Sequence, residues 1–489
     1  MESLQSLIKV LRPSEKRLLN HYYSRVTNSE EKLRLKLFSL VESGEVTTDE
    51  EARAKLNSTG GISAYSHLKA RLKNDILNVL LMQDTDKRFA QQNRAAEMDC
   101  RKKVAQSHLL ILRGAKAEGM NVLNRAIRIA DRYELFAERL QLNHLLREHV
   151  IGSVSAAELA RLNTEIASDM ERYKALLFVE EQSFLLSSPE FSKSIQLKED
   201  DRKNVELIQE LEKLFNKHKL ARIGFWYYMA ATEYNAARKN YAEVVRLGVK
   251  FLKLVEKGHA VRSKNNIAGV NQTLGVAYLE LHKFTDAAGH LKMSEKLFPS
   301  AGFNRLQSLQ LLVQSEAANG AIVNALTHVE IAMNHPRIKT REHLVPQWLF
   351  MKASLEFLSR DVDASFKTIN KDGFLLRQQD VWNVQFRLLE MMQLVELEDE
   401  EWLEFKLDAT RKFLTRHKEL DNPRVRLAID ILGILVRKRL DFSELTTKHL
   451  ESLQLSLSGA DGYEWSATGP EIVRFDKWIS SKIPQRPIE

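Results

Sequence analysis

The stretch NQTLGVAYLELHKFTDAAGHLKMSEKLFP, Asn271 to Pro299, decides how the rest of this chain is read. Leu274, Ala277, Tyr278 and Leu281 recur at helical spacing and therefore share one helix face. Ala287, Ala288, Leu291, Ser294 and Leu297 make a second such run. Between the two runs, Leu281-His282-Lys283-Phe284 reads as a tight corner, polar and then aromatic. Pro299 closes the second helix because proline has no backbone N–H to donate. Gly275 and Ala288 put small residues where two helices must approach closely. Neither helix can bury its apolar face alone, so the hairpin needs neighbours on both sides.

These residues resemble a tetratricopeptide (TPR) repeat, whose pattern is W-x2-L-G-x2-Y, then A-x3-F, then P. Leu274-Gly275 and Tyr278 match in place, Ala287 is the small residue, Leu291 stands for the aromatic and Pro299 closes the unit. Asn271 departs from the family's tryptophan. The resemblance implies an all-α fold, a right-handed α-solenoid of TPR-like hairpins. It also implies that the first helix of each repeat lines an inner, concave groove. The groove positions are then Trp226, Met229 and Glu233; Gln272 and Val276; Gln307, Gln310 and Gln314; and Leu349, Ala353 and Glu356. The same positions also suit ordinary solvated helix faces. As a groove, the glutamine row would hold a peptide backbone without demanding a charge, since an amide both donates and accepts. Relatives that grip a C-terminal carboxylate use Lys, Arg and Asn there. These positions are not basic, so a carboxylate clamp is not expected.

Similar hairpins recur along the chain. Phe225 to Val255 pairs two helices, with Tyr241 at the corner where Phe284 sits in the first hairpin read. Leu309 to Pro336 turns at Asn319-Gly320. Trp348 to Ile369 carries Trp348 in the tryptophan place and Ala364 as the small residue. Trp382 opens a fifth pair, whose second helix (Trp402 to Leu414) is offset by the acidic insertion Glu396 to Glu401. Upstream, residues 99–220 are helical and repeat-like but degenerate, with a hairpin turning at Arg113-Gly114 and a hinge at Pro189 and Lys198 to Asp201. Residues 1–98 form a helical head: Ser14 caps a helix, Glu30 to Val41 forms another, Thr48 to Leu56 a third, and Ser63 opens a long one beyond Gly60-Gly61. Residues 411–489 read as a cap, with Glu471 to Lys482 amphipathic and able to cover the last repeat, because a bare repeat end exposes an apolar face. The expected divisions are therefore 1–98, 99–220, 221–410 and 411–489.

Composition sets the remaining bounds. The chain has 489 residues, 44% hydrophobic, with 9 Pro and 19 Gly. That balance favours long helices. A net charge of +8 and a pI near 9.2 are a mild excess for this length, and only short basic runs occur. One cysteine, Cys100, allows no disulfide within the chain, which fits a reducing compartment. The N-terminus does not read as a signal peptide, and no stretch is long and apolar enough to span a bilayer. The expected location is the cytoplasm.

No glycine-rich phosphate loop, nucleophile elbow or paired-cysteine metal site is present. His144, Glu148 and His149 miss the H-x-x-E-H spacing by one residue, and Asp361 and Asp363 lack the glycine and oxygen ligands of a calcium loop. The expectation is a non-enzymatic scaffold that takes a protein or peptide partner and needs no cofactor or metal. The alternative is a nucleic-acid regulator with a helix-turn-helix-like head, in which Ser66, His67, Lys69, Arg71 and Lys73 would face DNA. Its link is longer than that motif's usual turn, and acidic Asp49-Glu50-Glu51 lies close by.

Overall fold

The computed structural model describes all residues except 25–28, 57–60, 83–91, 151–153, 187–200, 342–343, 371–379 and 484–489. Its described residues are helices and turns, with no strand among them. Two compact units divide the chain, residues 1–173 and 174–489. The boundaries expected near 98, 220 and 410 are finer than this division.

The first unit opens with α1 (Glu2–Val10), α2 (Pro13–Ser24), α3 (Ser29–Glu42), α4 (Asp49–Leu56) and α5 (Gly61–Met82). Their common core joins Leu4, Ile8, Leu19, Tyr23, Leu37, Phe38, Leu72 and Ile76. Ser14 lies inside α2 and does not cap it. The Arg12 amide instead donates to the Glu15 carboxylate at 2.7 Å. The start of α4 is capped reciprocally: Glu51 accepts from the Thr47 and Thr48 amides, and the Thr48 hydroxyl accepts from the Glu51 amide. The break at Gly60 lies outside the described residues.

Next come α6 (Gln92–Leu112), α7 (Lys116–Tyr133), α8 (Phe136–Val150) and α9 (Ala156–Leu186), the last crossing into the second unit. Cys100 is buried among Leu123, Ala126, Ala130 and Leu142. Burial pushes its thiol up to about 12, so the residue behaves as a small apolar group. Leu109 and Leu112, just before the Arg113-Gly114 turn, are exposed.

The second unit continues with α10 (Asp201–His218), then the pairs α11 (Ala221–Ala237) with α12 (Tyr241–Lys257), α13 (Lys264–Glu280) with α14 (Phe284–Leu297), and α15 (Phe303–Ala318) with α16 (Ile322–Met333). A short α17 (Pro336–Thr340) precedes α18 (Val345–Leu358) with α19 (Val362–Asn370) and α20 (Asp380–Glu396) with α21 (Glu400–Arg416). Then follow α22 (Pro423–Arg437), α23 (Thr447–Ser458) and α24 (Phe475–Lys482). Residues of the expected hinge between 187 and 200 lie outside the described residues, and Asp201 is already helical.

One corner recurs in six hairpins. Gly114, Lys239, His282, Gly320, Arg360 and Glu398 each adopt positive φ just after a first helix. Each donates its amide back three residues, and the following residue donates back five, as in Lys283 N–H to Tyr278 O at 2.8 Å. This pair of bonds satisfies the last carbonyls of the helix and turns the chain within three residues. Glu398 makes the same corner as the others, so Glu396 to Glu401 holds no insertion.

From that corner the packing register follows. The fourth and eighth residues of each second helix are buried: Gly119 and Leu123, Val244 and Gly248, Ala287 and Leu291, Ala325 and Val329, Ser365 and Ile369, Leu403 and Leu407. Seven residues before each corner lies another buried contact: Ser107, Thr232, Gly275, Val313, Ala353 and Met391. Ser365 therefore takes the small-residue place that the sequence assigned to Ala364. Its hydroxyl bonds the Ala353 carbonyl at 2.7 Å and accepts from Gln393.

Candidate functional site

Counted back from each corner, the expected groove positions fall thirteen, ten and six residues away in the first three hairpins. In the α18–α19 hairpin the assignment slipped. Leu349, Ala353 and Glu356 lie eleven, seven and four residues before Arg360, whereas Gln347, Phe350 and Ser354 occupy the equivalent places. Trp348, expected in the tryptophan place, is a buried core residue one position beyond the thirteenth-residue place. Ala353 is fully buried between helices, and Glu356 accepts a hydrogen bond from the Thr368 hydroxyl at 2.7 Å on the paired helix.

The upstream part of this face is open. Met229 and Glu233 of α11, Gln272 and Val276 of α13, and Gln307 of α15 line one cavity of about 500 Å³. Phe225, Tyr241 and Phe251 form part of its wall, while Asn265, Asn266 and Thr273 add amides and a hydroxyl. The Gln272 Nε2 atom is buried with no hydrogen-bond partner. Trp226 does not line the cavity; its ring packs edge-on against Phe225. The lining is mainly apolar with a few amides, a composition suited to a side chain or short peptide rather than to a highly charged ligand.

Downstream, the same face is filled by the chain itself. Gln310 accepts from the Gln347 amide at 2.9 Å. Gln314 is buried, and its Nε2 donates to the carbonyls of Thr468 and Gly469 at 3.1 and 2.7 Å. One hairpin earlier, on α13, Glu280 Oε1 accepts from the Thr468 amide, the Thr468 hydroxyl and the Ser466 hydroxyl. Trp465 packs against His282 and Phe284 at the corner, and Ala467 is buried with Leu279, Leu291 and Leu312. Farther along, Ile472, Val473 and Phe475 line a small space together with Phe350 and Ser354. Trp478 meets Phe357 and donates its indole N–H to Glu396.

Of the expected terminal cap, α22 packs on α21, the second helix of the last pair, with Gly433 beside Leu407 and Arg411, whereas Trp465 to Lys482 lies along the first helices. Its helix starts at Phe475, and Glu471 belongs to the preceding segment. Buried Arg424 holds that segment to α22: it donates to both Glu471 oxygens at 2.7 Å and to Asp476 at 3.0 Å. Burial alone would raise the Asp476 carboxyl, but hydrogen bonds from Arg474 and Arg424 hold it at about 2.

In the head, Ser66 and His67 are exposed. Lys69 bonds both oxygens of Asp49 at 2.8 and 2.9 Å, Arg71 pairs with Glu30, and Lys73 donates to the Ser3 hydroxyl at 3.0 Å. The three cations of the alternative reading are therefore engaged within the chain. His144 and Glu148 are exposed and 3.3 Å apart, and Asp361 caps α19 by accepting from the Ala364 amide. Among the described residues no group of three His, Cys, Asp or Glu is placed to hold a metal ion, and no helix is long and apolar enough to cross a membrane.

No family model matches the chain, and no curated protein matches it. Among solved structures, it is similar to a signal transduction ATPase with numerous domains (STAND) protein with a tetratricopeptide repeat sensor, from Pyrococcus horikoshii. The identity is 12%, the TM-score 0.27, and the match covers 91% of this chain and 52% of that one. The chain thus spans about half the length of that structure.

Proposed function

We propose that this chain is a non-enzymatic binding protein that takes a segment of a protein partner on the shared face of its first helices, in the cavity between α11, α13 and α15. The single observation behind this reading is that five positions at the register counted from the corners, on the first helices of three successive hairpins, converge on that cavity. Downstream on the same face, Glu280 and Gln314 already bond a non-helical backbone. A face that hydrogen-bonds main-chain groups and offers an adjacent apolar cavity has the parts of a peptide-binding groove.

The test is a displayed-peptide selection against the full chain, followed by affinity measurement on two variants. Val276→Trp fills the cavity, and Val323→Trp alters an exposed site on a second helix. Selected peptides should lose at least tenfold in affinity for Val276→Trp and keep it for Val323→Trp. Equal binding to both variants overturns the assignment of the cavity.

A further inference from the structure

We infer that the partner segment for this face is a turn-forming peptide with an aromatic residue followed by small and hydroxyl residues, and that Trp465 to Pro470 is its internal counterpart. This rests on the groove reading above and adds what the groove selects.

The internal segment is held as a ligand is held. Its Gly469 amide donates to the Ser466 carbonyl at 3.1 Å, which closes a four-residue turn. Trp465 supplies the aromatic contact at the His282–Phe284 corner, and its indole N–H is satisfied by the Glu471 carbonyl at 2.9 Å, one residue beyond the segment. Ala467 is buried in one apolar cluster with Leu279, Leu291 and Leu312. Ser466 and Thr468 present three donors to the single Glu280 oxygen, and charge-assisted bonds of this kind are the stronger ones. Gly469 and Thr468 present carbonyls to Gln314, which fixes the amide with its nitrogen toward the segment. Every position of Trp-Ser-Ala-Thr-Gly thus makes a contact, with Ser466 and Thr468 sharing Glu280 and Thr468 and Gly469 sharing Gln314.

The internal ligand leaves one group unsatisfied. Gln314 Oε1 is buried without a hydrogen-bond partner. An unpaired buried acceptor is unfavourable, so a ligand bringing one further N–H to that point would bind better than the resident segment. The open cavity lies one helical turn away along both carriers, since Val276 precedes Glu280 by four residues and Leu311 precedes Gln314 by three. A partner peptide can therefore take the turn site with its aromatic–small–hydroxyl part and continue into the cavity. Because the resident segment is tethered, it competes at an effective concentration of roughly millimolar order. The parent chain should accordingly bind a free copy weakly.

A fluorescein-labelled peptide of the sequence EWSATGP, residues 464–470, tests this on the full chain. The variant Trp465→Gly with Thr468→Gly removes two of the side-chain anchors of the resident segment and leaves Glu280 and Gln314 in place. The peptide should bind this variant at least tenfold more tightly than the parent. Adding Glu280→Gln and Gln314→Leu should abolish the gain. In the unmodified parent, millimolar unlabelled peptide should speed hydrogen exchange of the Thr468 amide, a readout that does not depend on any variant folding. Equal affinity for parent and variant, a gain that survives the Glu280 and Gln314 changes, or unaltered Thr468 exchange overturns the inference. If selected partners still depend on Val276 in that event, the groove stands and only the identity of its ligand falls.

Discussion

The successive hairpins α13–α14 and α15–α16 have one backbone and two different sets of side chains. Their corners at His282 and Gly320 make the same pair of hydrogen bonds. Seven residues earlier lie Gly275 and Val313; at the eighth position of the second helix lie Leu291 and Val329, all buried. Bulk is distributed in opposite ways: a Cβ built on Gly275 would come within 2.5 Å of Leu291, so the glycine and the leucine form a complementary pair. The next hairpin shares the volume between two valines. The corner therefore sets which positions meet, and only the combined volume at the meeting point is constrained. Outward, the two hairpins part again, since Gln272 and Val276 face an open cavity while Gln314 is taken by the chain's own segment.

The largest expected effect comes from breaking the second-helix contact. Leu291→Ala should cost about 2–5 kcal/mol, as buried leucine truncations do. Val329→Ala removes fewer carbons and should cost less, by about 0.8 kcal/mol for the missing methylene. Urea unfolding monitored by circular dichroism measures both. A larger loss at Val329 would mean that the two contacts are not equivalent.

Exchange of bulk is the next test. Gly275→Val, the side chain that the following hairpin carries at this register, should cost about 1–3 kcal/mol by overpacking against Leu291. In combination with Leu291→Ala the two losses should fall short of their sum, because each change relieves the other. Strict additivity would remove Gly275 from the contact and separate the two hairpins.

Much of the fold was legible because its signals are local. Periodic leucines and alanines, Asn319-Gly320 and the acidic start at Asp49 fix elements without reference to distant parts of the chain. The recurring corner was only half legible. Glycine at 114 and 320 announces positive φ, but Lys239, His282, Arg360 and Glu398 take the same conformation with nothing in their side chains to announce it. The missing corner marker at Arg360 is why the inner-face positions of α18 slipped onto Leu349, Ala353 and Glu356. At Glu398 it made an ordinary turn look like an insertion. Five of the expected groove residues do converge, because helical register alone brings them together. That Gln314 would be spent on Thr468 and Gly469 could not be read from sequence, since more than 150 residues separate the partners and neither stretch carries a pairing signal.

The smallest effect discriminates the two hairpins by sign. His290 and His328 are both the seventh residue of a second helix, and each meets the residue four before its corner. His290 stacks on Tyr278, and its ring nitrogen lies 2.8 Å from the Asn271 amide oxygen; burial lowers its pKa, against a weaker opposing pull from Asp286. His328 bonds the Glu316 carboxylate at 2.9 Å, and that bond raises its pKa in spite of burial and nearby Lys292. A lowered folded value means that the unfolded chain binds the proton more tightly. The His290 contribution is therefore present above the ordinary imidazole pKa of about 6.5 and is lost as pH falls below it. A raised folded value means the reverse, so the His328 contribution is full below about 6.5 and is lost as pH rises through the elevated folded pKa. Urea unfolding from pH 5.5 to 8 on the parent, His290→Gln and His328→Gln resolves the two. The parent's advantage over His290→Gln should grow as pH rises, and its advantage over His328→Gln should shrink. Slopes of the same sign would show that the two histidines share one environment, and that the difference between the hairpins does not extend to their charges.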